Sequence, residues 1–207
     1  MNKLKKRLIS LSYRYRLSHI GSCLGALETI DNIYRVKKKN EPFILSNGHA
    51  GLALYVVLEK YEGKDAERLW KKHGTHPNRD LGDGIWCSTG SLGQGLPIAV
   101  GMAMADRKRN VYVLTSDGEM NEGSCWEALR IAAEQKLENL RVSVIGNGYT
   151  ALGKADDDLL DLRMQFFYPS LMVKANLFAY PDFLQGLWGH YRVLDKKQYQ
   201  EIIKEIK

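Results

Sequence analysis

The sequence lacks the features that mark membrane-spanning, secreted and zinc-binding proteins. None of its apolar runs reaches the roughly 18 consecutive residues of a membrane span. Its three cysteines, Cys23, Cys87 and Cys125, are far apart and form no CxxC pair, which argues against a disulfide framework or a zinc site and for packing roles. The basic amino terminus has no clean apolar core and no cleavage-like site. We therefore predict an amphipathic helix there, over residues 4–18, and a cytoplasmic location.

The sequence also has few segments that carry charge of one sign. The net charge of the 207-residue chain is +6, and Lys37-Lys38-Lys39 is its densest basic run. Elsewhere basic and acidic residues alternate, and no aromatic residues interleave with basic ones, so we predict no nucleic-acid partner. A mildly positive field suits phosphorylated ligands instead. With 44% hydrophobic residues, the composition is typical of one soluble domain with a sizeable core.

A strand, a helix and a second strand are predicted between residues 110 and 151. Val111–Thr115 and Arg141–Ile145 are short β-branched runs typical of buried strands, and apolar residues recur at helical spacing between them. Such a crossover makes neighbouring parallel strands. The polar residues that follow the two strands, Asp117 and Asn147, should therefore meet at the carboxyl edge of the sheet, where ligands of open α/β sheets bind.

Asp117, Asn147 and the carbonyls of the Gly-rich turn beside Asn147 are hard oxygen donors. Such donors suit Mg²⁺ or Ca²⁺ rather than zinc, and a Mg²⁺ ion with few protein ligands takes the others from phosphates and water. The residue types therefore indicate a site for a metal ion and a phosphate group. An alternative stays open, because an Asp in a Gly-flanked turn is often only a turn former or a helix N-cap.

Histidines occur in three further loops. His19 lies in a Gly-containing turn between two predicted helices, and His49 follows a predicted strand, Phe43–Ser46. His73 and His76 belong to a long polar loop, but no third ligand follows them at a suitable spacing, so we predict no metal site there. By itself each histidine is a weak signal, because a lone histidine in such a position is more often a surface or helix-capping residue than a catalyst.

A glycine loop over residues 88–97 precedes an Ala- and Met-rich helix predicted from Ile98 to Ala105. The backbone N–H groups of such a loop can bind an anion. Its spacing is not GxGxxG and no strand immediately precedes it in a βαβ unit, so a dinucleotide site is not predicted.

Taken together, these segments resemble those of transketolases. Asp117-Gly118 followed by Asn147, with Glu122-Gly123 between them, looks like the thiamine diphosphate motif of that family, with Ser116 in place of its first glycine. The loop TGSLGQG at residues 89–95 is similar to the family's diphosphate loop, with Ser in place of Pro, and the turns around the histidines resemble its substrate loops. The resemblance runs from about residue 4 to 152 in the family's order.

The resemblance implies a role for each residue of the site. The metal ligands would be Asp117, Asn147 and the carbonyl of Tyr149. The cofactor-binding residues would be Gly90, Ser91, Leu92, Asp117, Gly118, Glu119 and Asn147. His19, His49 and His76 would orient substrate hydroxyls and move protons, as suits side chains that titrate near neutrality. Glu122 would link to the cofactor-activating Glu of a partner chain.

The implied fold is one α/β domain over residues 1–207, with a mostly parallel sheet flanked by helices and residues 1–40 as a helical amino-terminal segment. The implied activity, with thiamine diphosphate and Mg²⁺ or Ca²⁺, is transfer of a two-carbon ketol unit between sugar phosphates. The 56 residues after Ala151 are fewer than the roughly 100 to 150 of a second domain. We therefore expect a symmetric heteromer with a separately encoded pyrimidine-binding subunit.

Two alternatives to a split transketolase stay open. One is a non-catalytic thiamine diphosphate-binding or scaffold homologue, suggested by the short chain and by Ser116. The other is a different reaction on the same fold, such as synthesis of a deoxyxylulose phosphate or decarboxylation of a keto acid. The three histidines favour sugar chemistry. At the end of the chain, Gly189–Asp195 is interpreted as a last strand and Tyr199–Ile206 as an amphipathic helix.

Overall fold

The computed structural model describes residues 1–150, 153–169, 171–174 and 181–206. Its helices are α1 (Asn2–Arg14), α2 (Ile20–Val36), α3 (Gly51–Glu62), α4 (Ala66–His73), α5 (Gly95–Ala105), α6 (Gly123–Glu134), α7 (Asp157–Phe167), α8 (Gly186–His190) and α9 (Lys196–Glu205). Its strands are β1 (Phe43–Leu45), β2 (Val111–Ser116), β3 (Leu140–Gly146), β4 (Tyr149–Thr150), β5 (Gly153–Lys154) and β6 (Leu171–Lys174).

The described residues form a main sheet of four parallel strands in the order β1-β2-β3-β6. Strands β2 and β3 pair over nearly their whole lengths, from Val111 opposite Leu140 to Ser116 opposite Ile145. Helix α6 forms the crossover between them, as the apolar periodicity predicts. The predicted α/β fold with a mostly parallel sheet flanked by helices is confirmed.

The sheet separates two apolar cores, because side chains alternate between its faces. Phe43, Leu45 and Leu114 pack with helices α1 to α4 and α9. Ile44 and Val113, which neighbour them in sequence, pack instead with helices α5, α6 and α7. Helices on both faces are the usual cover of a parallel sheet, and they leave its carboxyl edge open for a site.

The amino-terminal segment consists of two helices, the first of which ends earlier than the sequence predicts. The prediction placed its end at residue 18, but α1 ends at Arg14. Arg16 then takes a left-handed conformation with φ of 52°, and the Leu17 N–H donates to the Ser12 carbonyl at 2.9 Å. A left-handed residue enclosed by a hydrogen bond that spans five residues is the Schellman motif, which terminates a helix. The shorter helix leaves His19 in the turn before α2.

The interpretation of Gly189–Asp195 as a strand is wrong. Gly189 and His190 end helix α8, and residues 191–195 pair with no strand among the residues described. The carboxylate and backbone N–H of Asp195 form a capping box with Gln198 at the start of α9. Asp195 therefore caps α9 and cannot pair in a sheet, and the predicted amphipathic helix at the end of the chain is confirmed as α9. Among the helices of the described segments, none combines the length and the apolar character that a membrane span requires.

Candidate active site

A cleft with a cavity of about 180 Å³ lies at the carboxyl edge of the sheet. Asp117 and Asn147, which follow β2 and β3, both line it, as do Gly118 and Tyr149. His49, which follows β1, lines the same cleft. The parallel order of β1, β2 and β3 is what brings these three strand ends together.

The carboxylate of Asp117 is held in place by three backbone hydrogen bonds. Its Oδ2 accepts from the N–H groups of Asn147 at 2.9 Å and Gly148 at 3.2 Å, and its Oδ1 accepts from the Gly118 N–H at 2.8 Å. Burial raises the pKa of Asp117 to about 6, while the hydrogen bond from Asn147 opposes the rise and the nearby carboxylate of Asp157 adds to it. A cation beside this carboxylate would lower its pKa again.

The oxygen donors of the cleft fit a hard divalent cation. A carboxylate accepts about four hydrogen bonds or ligands, so three N–H donors leave Asp117 capacity for a cation. Among the described residues the Asn147 Oδ1 accepts from the Tyr149 N–H alone, at 2.9 Å, and keeps a second lone pair. No Lys or Arg occurs among the described residues that line the cleft. The charge of a bound diphosphate would therefore have to be neutralised largely by the metal ion.

Ser116, where the family motif has glycine, is accommodated without strain. It lies within β2, opposite Ile145, and is not among the non-glycine residues with positive φ. Its Oγ accepts from the Glu119 N–H at 3.4 Å and so helps to shape the following turn. The conformational freedom of glycine is not needed at this position.

Three histidines cluster at one end of the cleft, of which His49 and His190 line it and His19 packs against them without lining it. The ring centroid of His19 lies 5.5 Å from that of His49 and 4.4 Å from that of His190, and His49 and His190 are 5.2 Å apart. His19 has a left-handed backbone, with φ of 63°, and its N–H donates to the His190 carbonyl at 2.8 Å. A positive φ is unfavourable for a residue with a Cβ, so this hydrogen bond helps to hold the His19 ring in place.

These histidines are neutral at pH 7. The pKa of His19 is lowered to about 4 and that of His49 to about 3, in both cases chiefly by burial and then by the neighbouring histidines. Burial also lowers the pKa of His190. A neutral imidazole has one donor and one acceptor nitrogen, which suits hydrogen bonding to hydroxyl groups.

His76 and His73 have different environments. His76 packs on the glycine loop, where a Cβ added to Gly90 would lie 3.1 Å from the His76 Cδ2, and its nearness contributes to the lowered pKa values of His19 and His49. His73 is buried, and its Nε2 lies 3.0 Å from the Asp83 Oδ2. Arg68 and Lys72 bind the same carboxylate at 2.6 and 2.7 Å.

His73, Asp80 and Asp83 offer ligand atoms within 4.8 Å of one another. The ammonium of Lys72 lies between the two carboxylates, 2.6 Å from the Asp80 Oδ2 and 2.7 Å from the Asp83 Oδ2, where a metal ion would bind. We therefore interpret this cluster as an ion-pair network that anchors the loop carrying His76.

The remaining predicted residues differ in whether they line the cleft and in how exposed they are. Leu92 lines the cleft, whereas Gly90 and Ser91 are not among its lining residues. Glu122 is exposed at the start of α6. Glu119 is fully buried and does not line the cleft, although the resemblance implies a cofactor contact.

His190, Asn47 and Tyr191 also line the cleft, although the sequence patterns did not predict them as site residues. His190 falls in the predicted last strand, whereas it ends the short helix α8. A sequence signal that could have identified His190 is its position directly after a glycine, which His49 shares. Asn47 is buried, and its Oδ1 has no hydrogen-bond partner within the described chain.

Comparison with known proteins agrees with this geometry. A family profile described as "Transketolase, thiamine diphosphate binding domain" matches residues 14–166. One relative, from Phocaeicola vulgatus, is named as a subunit of apulose-4-phosphate transketolase and is 33% identical over 78% of this chain and 64% of its own length. The 6-deoxy-6-sulfo-D-fructose transketolase subunit SqwG of a Clostridium species is 32% identical over 67% of this chain and 58% of its own length.

Among solved structures, transketolase from Campylobacter jejuni aligns with a TM-score of 0.71 at 21% identity, over 98% of this chain and 42% of that one. The chain thus spans less than two thirds of the length of these relatives. The family profile nevertheless covers more than half of the chain. The protein therefore belongs to the transketolase family, within which it matches the thiamine diphosphate binding domain.

Proposed function

We propose that the chain is the diphosphate-binding subunit of a split transketolase, which transfers a two-carbon ketol unit between sugar phosphates together with a partner subunit. The observation that carries the proposal is the cleft itself. It combines hard oxygen donors, Asp117 and Asn147, with the neutral imidazoles of His49 and His190. One set suits a metal-bound diphosphate, and the other suits the hydroxyls of a sugar.

The carboxylate of Asp117, the amide oxygen of Asn147 and the carbonyl of Tyr149 would hold Mg²⁺ or Ca²⁺ on the cofactor diphosphate. Thiamine diphosphate, when bound, supplies the electron sink for breaking and making the carbon–carbon bond. Gly118 and Leu92, which line the cleft, would contact the cofactor from neighbouring loops.

His19, His49 and His76 would orient substrate hydroxyls and accept or return their protons. Depressed pKa values keep His19 and His49 unprotonated at neutral pH, so each can act as an acceptor. Since His190 contacts both rings, we assign it to the same group.

A partner subunit is supported by the chain's exposed apolar surface and by the names of its relatives. Trp188 is 84% exposed and Tyr191 61% exposed, both beside the cleft residue His190. Exposed aromatic groups of this kind mark contact surfaces. Two relatives are named as subunits of transketolases. We propose that Glu122, exposed at the start of α6, faces this partner.

The metal and cofactor assignment is tested by Asp117→Ala. Titration calorimetry with thiamine diphosphate in saturating Mg²⁺ should show a loss of affinity of more than about 100-fold, because losing even an outer-shell partner weakens a metal site about 10- to 100-fold. EDTA should abolish binding to the unsubstituted chain. The matched control is Glu138→Ala, an exposed carboxylate in the turn that precedes β3. Undiminished affinity of Asp117→Ala would mean that Asp117 is only a turn residue.

A further inference from the structure

Glu119 is a buried carboxylate that contacts several loops of the cleft from behind. Its exposed fraction is 0%. The Glu119 Oε1 accepts from the Ser46 hydroxyl at 2.8 Å and from the Gly93 N–H at 3.0 Å, and the Oε2 accepts from the Thr115 hydroxyl at 2.7 Å. Glu119 itself does not line the cleft.

The three donors belong to three different walls of the cleft. Ser46 follows β1 and precedes Asn47 and His49. Thr115 lies in β2, two residues before Asp117. Gly93 belongs to the glycine loop, next to Leu92. The carboxylate of Glu119 therefore connects the segment that carries His49, the segment that carries Asp117 and the glycine loop.

The packing around Glu119 leaves these segments little freedom to move apart or together. Gly93 has a φ of 75°, and a Cβ added there would lie 2.6 Å from the Glu122 Cβ. A Cβ added to Gly95 would lie 2.5 Å from the Ser46 Oγ. The Cys125 thiol donates to the Glu119 carbonyl at 3.2 Å, which also ties the residue to helix α6.

A carboxylate suits this position better than an amide. An ionised carboxylate only accepts, so its two oxygens can receive the three donors that converge on them. A glutamine of the same shape keeps one accepting oxygen, and its amide N–H could pair with the Thr115 hydroxyl only if that hydroxyl turned to accept. Hydrogen bonds to a charged oxygen are also roughly twice as strong as those to a neutral one. Burial raises the pKa of Glu119, and the hydrogen bonds from Thr115, Ser46 and Gly93 act against that rise.

We propose that Glu119 is a positioning residue that sets the relative positions of the His49, Asp117 and glycine loops, and that it governs thiamine diphosphate affinity without touching the cofactor. This inference rests on the proposed function, because the cofactor is the ligand whose affinity should change. It replaces the direct cofactor contact that the resemblance implies for Glu119.

The first test measures the loop directly and needs no ligand. Amide hydrogen exchange in the full chain should show the Gly93 N–H exchanging about fivefold faster in Glu119→Gln, since a neutral amide oxygen holds a donor only about half as strongly as a charged one. Amides at the centre of β2 should keep their protection. Glu134→Gln, which removes an exposed carboxylate paired with Arg130, is the matched control. Unchanged exchange at Gly93 in Glu119→Gln would overturn the proposal.

The second test measures the cofactor. Calorimetric affinity for thiamine diphosphate with Mg²⁺ should fall about tenfold in Glu119→Gln and less in Thr115→Val, which keeps the shape of the buried threonine but removes one donor. Equal affinity in Glu119→Gln and the unsubstituted chain would refute the positioning role. Absence of binding by the unsubstituted chain would contradict the proposed function instead, while exchange at Gly93 still decides the role of Glu119. If Glu119→Gln does not fold, both measurements are made on Thr115→Val, in which unchanged exchange at Gly93 and unchanged affinity would refute the proposal.

Discussion

Gly118 and Gly48 differ in whether the surrounding protein atoms leave space for a Cβ atom. Gly118 lines the cleft with an ordinary helical φ of −62°, and an added Cβ would lie no closer than 3.8 Å to the Ser116 Oγ. At Gly48 an added Cβ would lie 2.8 Å from the Thr89 carbonyl carbon. The chain itself therefore requires glycine at position 48 but not at position 118.

We predict opposite outcomes for alanine at these two positions. Gly118→Ala should leave the free energy of unfolding within about 0.5 kcal/mol, because nothing in the chain is displaced. It should weaken thiamine diphosphate binding about tenfold, since the methyl group occupies cleft volume beside Asp117. Gly48→Ala should lower the free energy of unfolding by about 1–3 kcal/mol through overpacking. Urea unfolding and calorimetry measure both, and full affinity in Gly118→Ala would show that the ligand does not approach Gly118.

The neutral histidines make stability depend on pH. An unfolded histidine has a pKa near 6.5, whereas the pKa of His49 is lowered to about 3, chiefly by burial and then by His190, His19 and His76. Between these values the unfolded state binds more protons than the native state, so stability rises with pH and is lost as the pH falls below about 6.5.

We predict that His49→Gln reduces this pH dependence. The free energy of unfolding of the unsubstituted chain should fall between pH 6.5 and pH 4, with His49 contributing less than about 1.4 kcal/mol per pH unit. Because the carboxylates titrate in both proteins, the difference between the two curves isolates the histidine. Urea unfolding at half-unit steps measures it. Parallel curves for the two proteins would show that His49 does not carry the effect.

At the scale of elements, the sequence predicts what local periodicity determines. Strands β1, β2 and β3 are β-branched or apolar runs that end at Gly-containing turns, and α6 has a clear helical period. Strand β6, with four residues, was not predicted, because no glycine-containing turn signal follows it in the sequence as Asn47-Gly48 follows β1. Helix α8 was missed because its five residues contain two glycines, which are poor helix formers.

The same distinction applies to the candidate site. The meeting of Asp117 and Asn147 follows from the topology of one strand-helix-strand unit, so it could be predicted without coordinates. His190 depends on the packing of α8 against Leu184, where the backbone approaches Gly189 so closely that a Cβ would clash. The burial of Glu119 depends on three segments that are distant from one another in sequence. Contacts of this kind leave no periodic signal in the sequence.

At the scale of the whole molecule, helix α5 is the clearest sign of an assembly. Its 11 residues, GLPIAVGMAMA, include no polar or charged side chain. Leu96, Ala99 and Ala103 pack into the core, whereas Ile98 is 38% exposed and Met104 44% exposed. A helix that is apolar all round is normally buried on every side. Because α5 directly follows the glycine loop, a partner covering its outer face would meet the chain next to that loop.

We predict that this chain is inactive alone and that the outer face of α5 is needed for activity with the partner. The double substitution Ile98→Glu and Met104→Glu should leave folding intact, because both side chains are partly exposed, but should prevent association by burying unpaired charge in the contact. The matched control is Val36→Glu, a 69% exposed apolar residue at the end of α2. Sedimentation and a ketol-transfer assay with a co-encoded pyrimidine-binding subunit measure both properties. Normal association of the double variant would place the contact elsewhere, and robust turnover by the chain alone would contradict a divided active site.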